Sequence, residues 1–187
     1  HDIAVERYGL TANDLIFDAL TFPLSTGDED LRRDAMHTME AIRRIKEEIP
    51  GSFTVLGLSN VSFGLSPAAR HALNSVFLHE CVQHGLDAAI VHAAKIIPLN
   101  RIPDEQRQVC LDLIYDRRAE ADAAAGIEAY DPLAKLLDVF AGVQSTKAEK
   151  IDRSTFPIDE RLKGRIIDGD RDGLTDDLDE AMAGGMP

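Results

Sequence analysis

Three short, unbroken apolar runs, joined by stretches with helical spacing, restrict this chain to a small set of folds. The first run is Leu15-Ile16-Phe17-Asp18-Ala19-Leu20, which leads into Thr, Pro, Ser and Gly turn chemistry. The second is Phe53-Thr54-Val55-Leu56-Gly57-Leu58-Ser59 and the third Leu86-Asp87-Ala88-Ala89-Ile90-Val91. Strands with one wet face alternate polar and apolar residues, and these do not. Near-continuous apolar strands belong to parallel sheets covered by helices. Between the first two runs, Leu31, Ala35, Met39, Ile42, Ile45 and Ile49 step by three or four, marking one face of a helix from about Asp28 to the stop at Pro50-Gly51. Ser66-Pro67 supplies an N-cap and a first-turn proline for the next helix. That helix runs through Ala69, Leu73, Val76, Phe77 and Cys81 to Gly85.

The order is therefore βαβαβ, an α/β class, with a repeat close to that of a (β/α)8 barrel unit. A whole barrel takes roughly 250 residues, and the pattern here has room for about three units. After Pro98 only helical signals remain. Pro103-Asp104 opens a helix to about Arg118. Asp131-Pro132 opens another, with Leu133, Leu136, Leu137 and Phe140 on one face and Gly142 at its end. Residues 143–157 are polar, lack an apolar period and read as a linker. Helical segments from Ile158 to about Ile167 and from Leu178 to Met182 flank an acidic turn. The expected organisation is 1–142, a linker over 143–157, and a further helical region over 158–187.

Charge narrows the partners. Acidic residues number 33 against 20 basic, a net charge of −13, which argues against nucleic acid and anionic membranes as partners. Aromatic residues are few and Trp is absent, so base-stacking surfaces are poorly supplied. No apolar run reaches the roughly 18 residues of a membrane span, and no signal-peptide pattern is present. Cys81 and Cys110 both fall inside helical patterns, which points to packed thiols in a reducing cytoplasm. The chain starts at His1 without Met, as a tag remnant or a cleaved fragment would.

In parallel α/β folds ligands gather at the C-terminal ends of the strands. Asp18, Asn60 and His92 stand at those ends. A carboxylate beside an amide suits a flat heterocycle rich in N–H and C=O groups.

The residues around Asn60 are more specific. Gly57-Leu58-Ser59-Asn60-Val61-Ser62-Phe63-Gly64 closely resembles the G-x-S-N-V-S-F signature of the methyltetrahydrofolate-binding domain of cobalamin-dependent methionine synthases. Leu15-Ile16-Phe17-Asp18 is similar to the strand of that family that carries a pterin-binding Asp. Phe77-Leu78, Gly85 to Val91 and the stretch ending Tyr115-Asp116-Arg117-Arg118 also resemble it, so that the resemblance covers most of residues 12–142 in order.

The resemblance implies the C-terminal portion of a (β/α)8 TIM barrel, then a linker and the start of a helical cap over cobalamin. It implies transfer of a methyl group from 5-methyltetrahydrofolate through cob(I)alamin to homocysteine. Asn60 would be the catalytic residue, hydrogen-bonding the pterin near N5, the nitrogen that releases the methyl group. Asp18 would accept from pterin N–H groups, and Arg70 would lie near the folate. No role is carried to His92. The family's D-x-H-x-x-G cobalamin motif and the Cys ligands of its zinc site are absent from this sequence. Cobalamin would thus belong to a downstream module and zinc to an upstream one. The chain reads as an internal piece of a cytoplasmic enzyme, inactive alone, whose open barrel edges would favour self-association.

Two other motifs carry less. His79-Glu80-Cys81-Val82-Gln83-His84 spaces its histidines by five, which turns the second about 140° from the first, whereas a zinc site of the HExxH type needs both on one face. Asp168-Gly169-Asp170-Arg171-Asp172-Gly173 matches part of an EF-hand loop, but Asp179 at its twelfth position is short for the usual Glu, and Thr175 stands where an aliphatic residue is expected. No metal site is expected from either. The alternatives to a methionine synthase piece are a fragment of another pterin- or corrinoid-linked methyltransferase, or a non-catalytic calcium-binding helix-turn-helix module.

Overall fold

The computed structural model describes residues 1–121, 128–143, 154–168 and 173–185. The chain divides into two compact units, His1–Val91 with Ile96–Ser145, and His92–Lys95 with Thr146–Pro187.

The first unit is built on three parallel strands, β1 (Ile16–Asp18), β2 (Phe53–Leu56) and β3 (Ala88–Ala89), in that spatial order. Helix α1 (Asp34–Glu48) joins β1 to β2, and α2 (Pro67–Gln83) joins β2 to β3. The expected βαβαβ order and parallel pairing are present.

The strands are shorter than the apolar runs. β1 ends at Asp18 because Asp18 Oδ1 accepts the Leu20 N–H at 2.9 Å and Leu20 turns into the left-handed region at φ 55°. β2 ends at Leu56, and Leu58–Ser62 tightens into a 3₁₀ turn. β3 is an edge strand beside β2, continued by one bond from Ile90 N–H to the Leu56 carbonyl at 2.9 Å. The helix expected from Asp28 begins instead with a 3₁₀ turn at Glu29–Leu31, capped by Asp28, before α1 proper. Ser66 occupies the N-cap of α2, but its side chain makes no capping bond.

Helices α3 (Asp104–Ile114) and α4 (Pro132–Val139) complete this unit. α3 stops short of Arg118 because Asp116 takes φ 46°. Asp131 caps α4 by accepting the Leu133 and Ala134 N–H groups.

The core lies between the sheet and the helices. Met39 and Ile42 of α1, Leu56 of β2, Leu73, Val76 and Phe77 of α2, Ile114 of α3 and Leu136 of α4 are all essentially inaccessible to water. Strand alternation puts Thr54 and Leu56 on this covered side. The register Ile16↔Phe53, Asp18↔Val55 and Val55↔Ala88 puts those residues on the other side. There Ile16 is 64% exposed and Phe53 43%, and Ile90 beyond β3 is 68% exposed. An uncovered apolar face is unusual for parallel strands.

One polar node fixes the N-terminal edge of the sheet. Asp87 Oδ2 accepts from the Thr54 N–H at 2.8 Å and from Lys46 Nζ at 2.9 Å, and Lys46 also donates to the Ser52 carbonyl at 2.8 Å. Gly85 is needed beside it, since φ is +99° and a Cβ would come within 2.9 Å of Lys46 Cγ. Burial pushes the Asp87 carboxyl up, but the Lys46 ammonium and the Thr54 donors outweigh it and hold the group below the ordinary Asp range. Asp87→Ala leaves the fully buried Thr54 amide unpaired, an expected loss of about 1–3 kcal/mol in urea unfolding. A depressed carboxyl contributes above its unfolded pKa and loses that contribution as pH falls. The difference between wild type and variant should therefore shrink below about pH 4.

Cys81 and Cys110 are free and buried, and burial raises both thiols to about 12. Both should resist iodoacetamide in the folded protein at about pH 8 and react once it is unfolded. Prompt labelling of the native protein would contradict this packing.

In the second unit, α5 (Ile158–Asp168) packs with α6 (Leu174–Ala183). α6 begins earlier than the expected Leu178 and has Asp176 and Asp177 in its first turn, where the helix dipole favours them. Asp177 is buried and accepts from Arg165 Nε, with Arg161 Nη2 at 3.4 Å. Most of the linker and the centre of the acidic turn, residues 144–153 and 169–172, lie outside the described residues. Within those that are described, no helix is long and apolar enough to cross a membrane.

Candidate functional site

Asp18 closes β1, and its exposed carboxylate is oriented by the Leu20 N–H. That loop is stapled to α1 behind it. Buried Thr38 donates from Oγ1 to the Leu20 carbonyl at 2.8 Å, and Asp34 Oδ2 accepts the Phe22 N–H at 2.7 Å. The left-handed conformation of Leu20 is disfavoured for a branched side chain, and these bonds hold it. The Asp18 carboxylate retains acceptor capacity for donors arriving from outside.

Asn60 does not simply follow β2 as an extended residue. It is the third residue of the Leu58–Ser62 turn. With three residues per turn, Leu58 and Val61 share one face, and both are fully buried. Asn60 is left exposed between them. Its N–H donates to the Gly57 carbonyl at 3.2 Å and its carbonyl accepts the Phe63 N–H at 3.0 Å. A Cβ at Gly57 would sit 3.7 Å from Asn60 Nδ2, so the side-chain amide lies against Gly57. Parallel pairing of β1 with β2 brings Asp18 and the start of this turn to the same end of the sheet.

Arg70 lies on α2 and is directed back at the same turn. Its Nε donates to Ser62 Oγ at 3.2 Å and its Nη2 to the Ser59 carbonyl at 3.3 Å. His92 is exposed and belongs to the second unit. Among the described residues, no three His, Cys, Asp or Glu side chains converge to hold a metal ion. His84 Nδ1 instead bonds the Glu80 carbonyl, and the Glu80 carboxylate accepts the Tyr115 hydroxyl.

The supporting roles of Thr38, Asp34, Leu20 and Ser62 are not legible in the sequence, although Ser62 lies within the octapeptide and Leu20 ends the first apolar run. Thr38 gave a faint signal, a polar residue on the apolar stripe of α1. Leu20 gave none, since nothing marks a leucine for φ 55°.

A cavity of about 820 Å³ lies elsewhere in this unit, lined by Arg33, Asp116, Arg118, Tyr130 and Asp131 among others. Several of its charged groups are paired within the protein. Arg118 bridges Asp116 and Glu29, both at 2.7 Å, and the Tyr130 hydroxyl donates to Asp112. None of Asp18, Asn60 and Arg70 lines it.

Residues 1–92 match the family model described as "Pterin binding enzyme", a span that holds all three strands and Asp18, Asn60 and Arg70. The chain is 54% identical to a methionine synthase of Mycobacterium tuberculosis over 180 residues, and 51% identical to one of Mycobacterium leprae over 179. Each alignment covers 94% of this chain and 14% of the relative. The chain thus spans about a seventh of the length of the curated relatives it matches. Identity at this level over nearly its whole length, together with the pterin-binding match, makes the chain similar to a segment of methionine synthases.

Proposed function

We propose that this chain is the part of a methionine synthase that binds 5-methyltetrahydrofolate, with Asp18 and Asn60 on the pterin. The observation that carries the reading is the placement of an oriented carboxylate and an exposed amide at one end of a parallel sheet, each on a loop fastened to the helices behind it.

Methyl transfer from N5 is slow because the amine leaves with developing negative charge. A hydrogen bond from Asn60, through its amide N–H, strengthens as that charge grows and lowers the barrier. Asn60 also meets a protonated N5 through its amide oxygen, so one residue serves both protonation states. Asp18 anchors the ring by accepting from its N–H groups and sets the orientation of the methyl group.

The methyl acceptor, cob(I)alamin by family resemblance, would be presented by another module of the full-length protein. The family's D-x-H-x-x-G motif and zinc-binding cysteines do not occur in this sequence, so cobalamin would belong to a downstream module and zinc to an upstream one. We place residues 1–142 in the C-terminal portion of a TIM barrel, 143–157 in a linker and 158–187 in the start of the helical cap. The uncovered face bearing Ile16, Phe53 and Ile90 supports a barrel interior awaiting further strands. Two buried free thiols support a reducing cytoplasm. Relatives that are methionine synthases favour this reading over the calcium-binding one.

Equilibrium titration of the full-length protein with methyltetrahydrofolate tests the assignment. Asp18→Asn turns an acceptor-only group into one that also presents N–H, and affinity should fall by about 10- to 100-fold. Unchanged affinity would remove Asp18 from the site.

A further inference from the structure

Arg70, Ser62 and Ser59 form a closed set of hydrogen bonds around Asn60. Besides the two Arg70 bonds, Ser62 Oγ donates to the Ser59 carbonyl at 3.2 Å. The Ser59 carbonyl thus receives both Ser62 and Arg70, and the Ser62 hydroxyl both gives and receives. Ser62 is fully buried, so water cannot replace either partner. The residues bracket Asn60 in sequence, with Ser59 just before it and Ser62 two positions after. Arg70 belongs to a helix whose neighbouring Ala69 and Leu73 are core residues, so it ties the turn to a rigid support.

A 3₁₀ turn has poor hydrogen-bond geometry and gains from outside support. Guanidinium suits the task, because its fork presents donors at two fixed positions where an ammonium is a single point. We infer that Arg70 is a positioning residue that holds the Ser59–Ser62 turn, and with it Asn60, rather than a group that reaches the folate. Its effect on methyl transfer rests on the reading above that Asn60 meets N5.

The test uses the full-length protein with Arg70→Ala, Arg70→Lys, Ser62→Ala and Asn60→Ala, singly and with Asn60→Ala as background. Without ligand, amide hydrogen exchange at Asn60 and Phe63 should speed up about tenfold or more in Arg70→Ala and Ser62→Ala, while Leu73, Val76 and Phe77 keep wild-type protection. In single-turnover methyl transfer the same two variants should slow by about tenfold, with the Kd for methyltetrahydrofolate moving less than about twofold, and Arg70→Ala should add nothing to Asn60→Ala. Arg70→Lys should restore neither readout.

Unchanged exchange at Asn60 and Phe63 would overturn the inference. So would a Kd raised by Arg70→Ala equally in both backgrounds with Ser62→Ala silent, the pattern of a direct folate ligand. If the wild-type protein bound no methyltetrahydrofolate, the functional reading would fail, and the exchange result would still decide whether Arg70 holds the turn.

Discussion

Asn60→Ala in the full-length protein is expected to slow methyl transfer from methyltetrahydrofolate by about 10²- to 10³-fold, the usual effect of removing one donor aimed at developing charge. Folate affinity should change far less if, as proposed, Asn60 bonds N5, because such a bond is strongest in the transition state. The structure makes this variant clean. Leu58 and Val61 anchor the turn from the core, and the Asn60 backbone bonds to Gly57 and Phe63 do not involve its side chain. Alanine should therefore keep the fold and lose only the amide. Rapid-mixing measurement of methylcobalamin formation, paired with a binding titration, separates the two quantities. Equal losses in rate and affinity would make Asn60 a plain binding residue.

The second large effect concerns the chain of 187 residues on its own. It should show no methyl transfer above background to exogenous reduced cobalamin, and it should self-associate. Three strands cannot close a barrel, which needs strand number and stagger to agree. Ile16, Phe53 and Ile90 stand exposed on one face of the sheet, and burying each such side chain is worth about 1.5–3 kcal/mol. Among the described strands β1 and β3 each have one partner only, so both offer an open edge. Absorbance at the methylcobalamin band and sedimentation velocity in one buffer test both parts. Turnover matching that of the full-length protein would make further strands dispensable. A strict monomer at high concentration would mean that this face is covered within the chain.

The fold of the first unit was legible because its signals are collective. Apolar runs and three-or-four spacing survive errors at single residues, and they led to the parallel order of β1, β2 and β3. Boundaries were less legible, since each depends on one local competition. The Asp18 carboxylate captures the Leu20 N–H and ends a strand that the apolar run would continue. Past the end of α3, Asp116 turns the chain by its own left-handed backbone conformation, which the helical pattern does not foretell.

The site divides along similar lines. Asp18 and Asn60 were visible as polar residues at strand ends and inside a recognisable octapeptide. The bonds from Arg70 to Ser59 and Ser62 span 11 and 8 residues and depend on how α2 docks, which residue spacing alone does not report. Leu20 and Thr38 meet for the same reason, through packing of α1 on the loop that precedes it.

The most direct test of the account is a structure of the full-length protein with methyltetrahydrofolate bound. The pterin should lie at the C-terminal end of β1 and β2, with the Asn60 side-chain amide within about 3.2 Å of N5 and the Asp18 carboxylate on ring N–H groups. A pterin seated against Arg33, Arg118 and Tyr130, or one that leaves Asn60 in solvent, would contradict this placement.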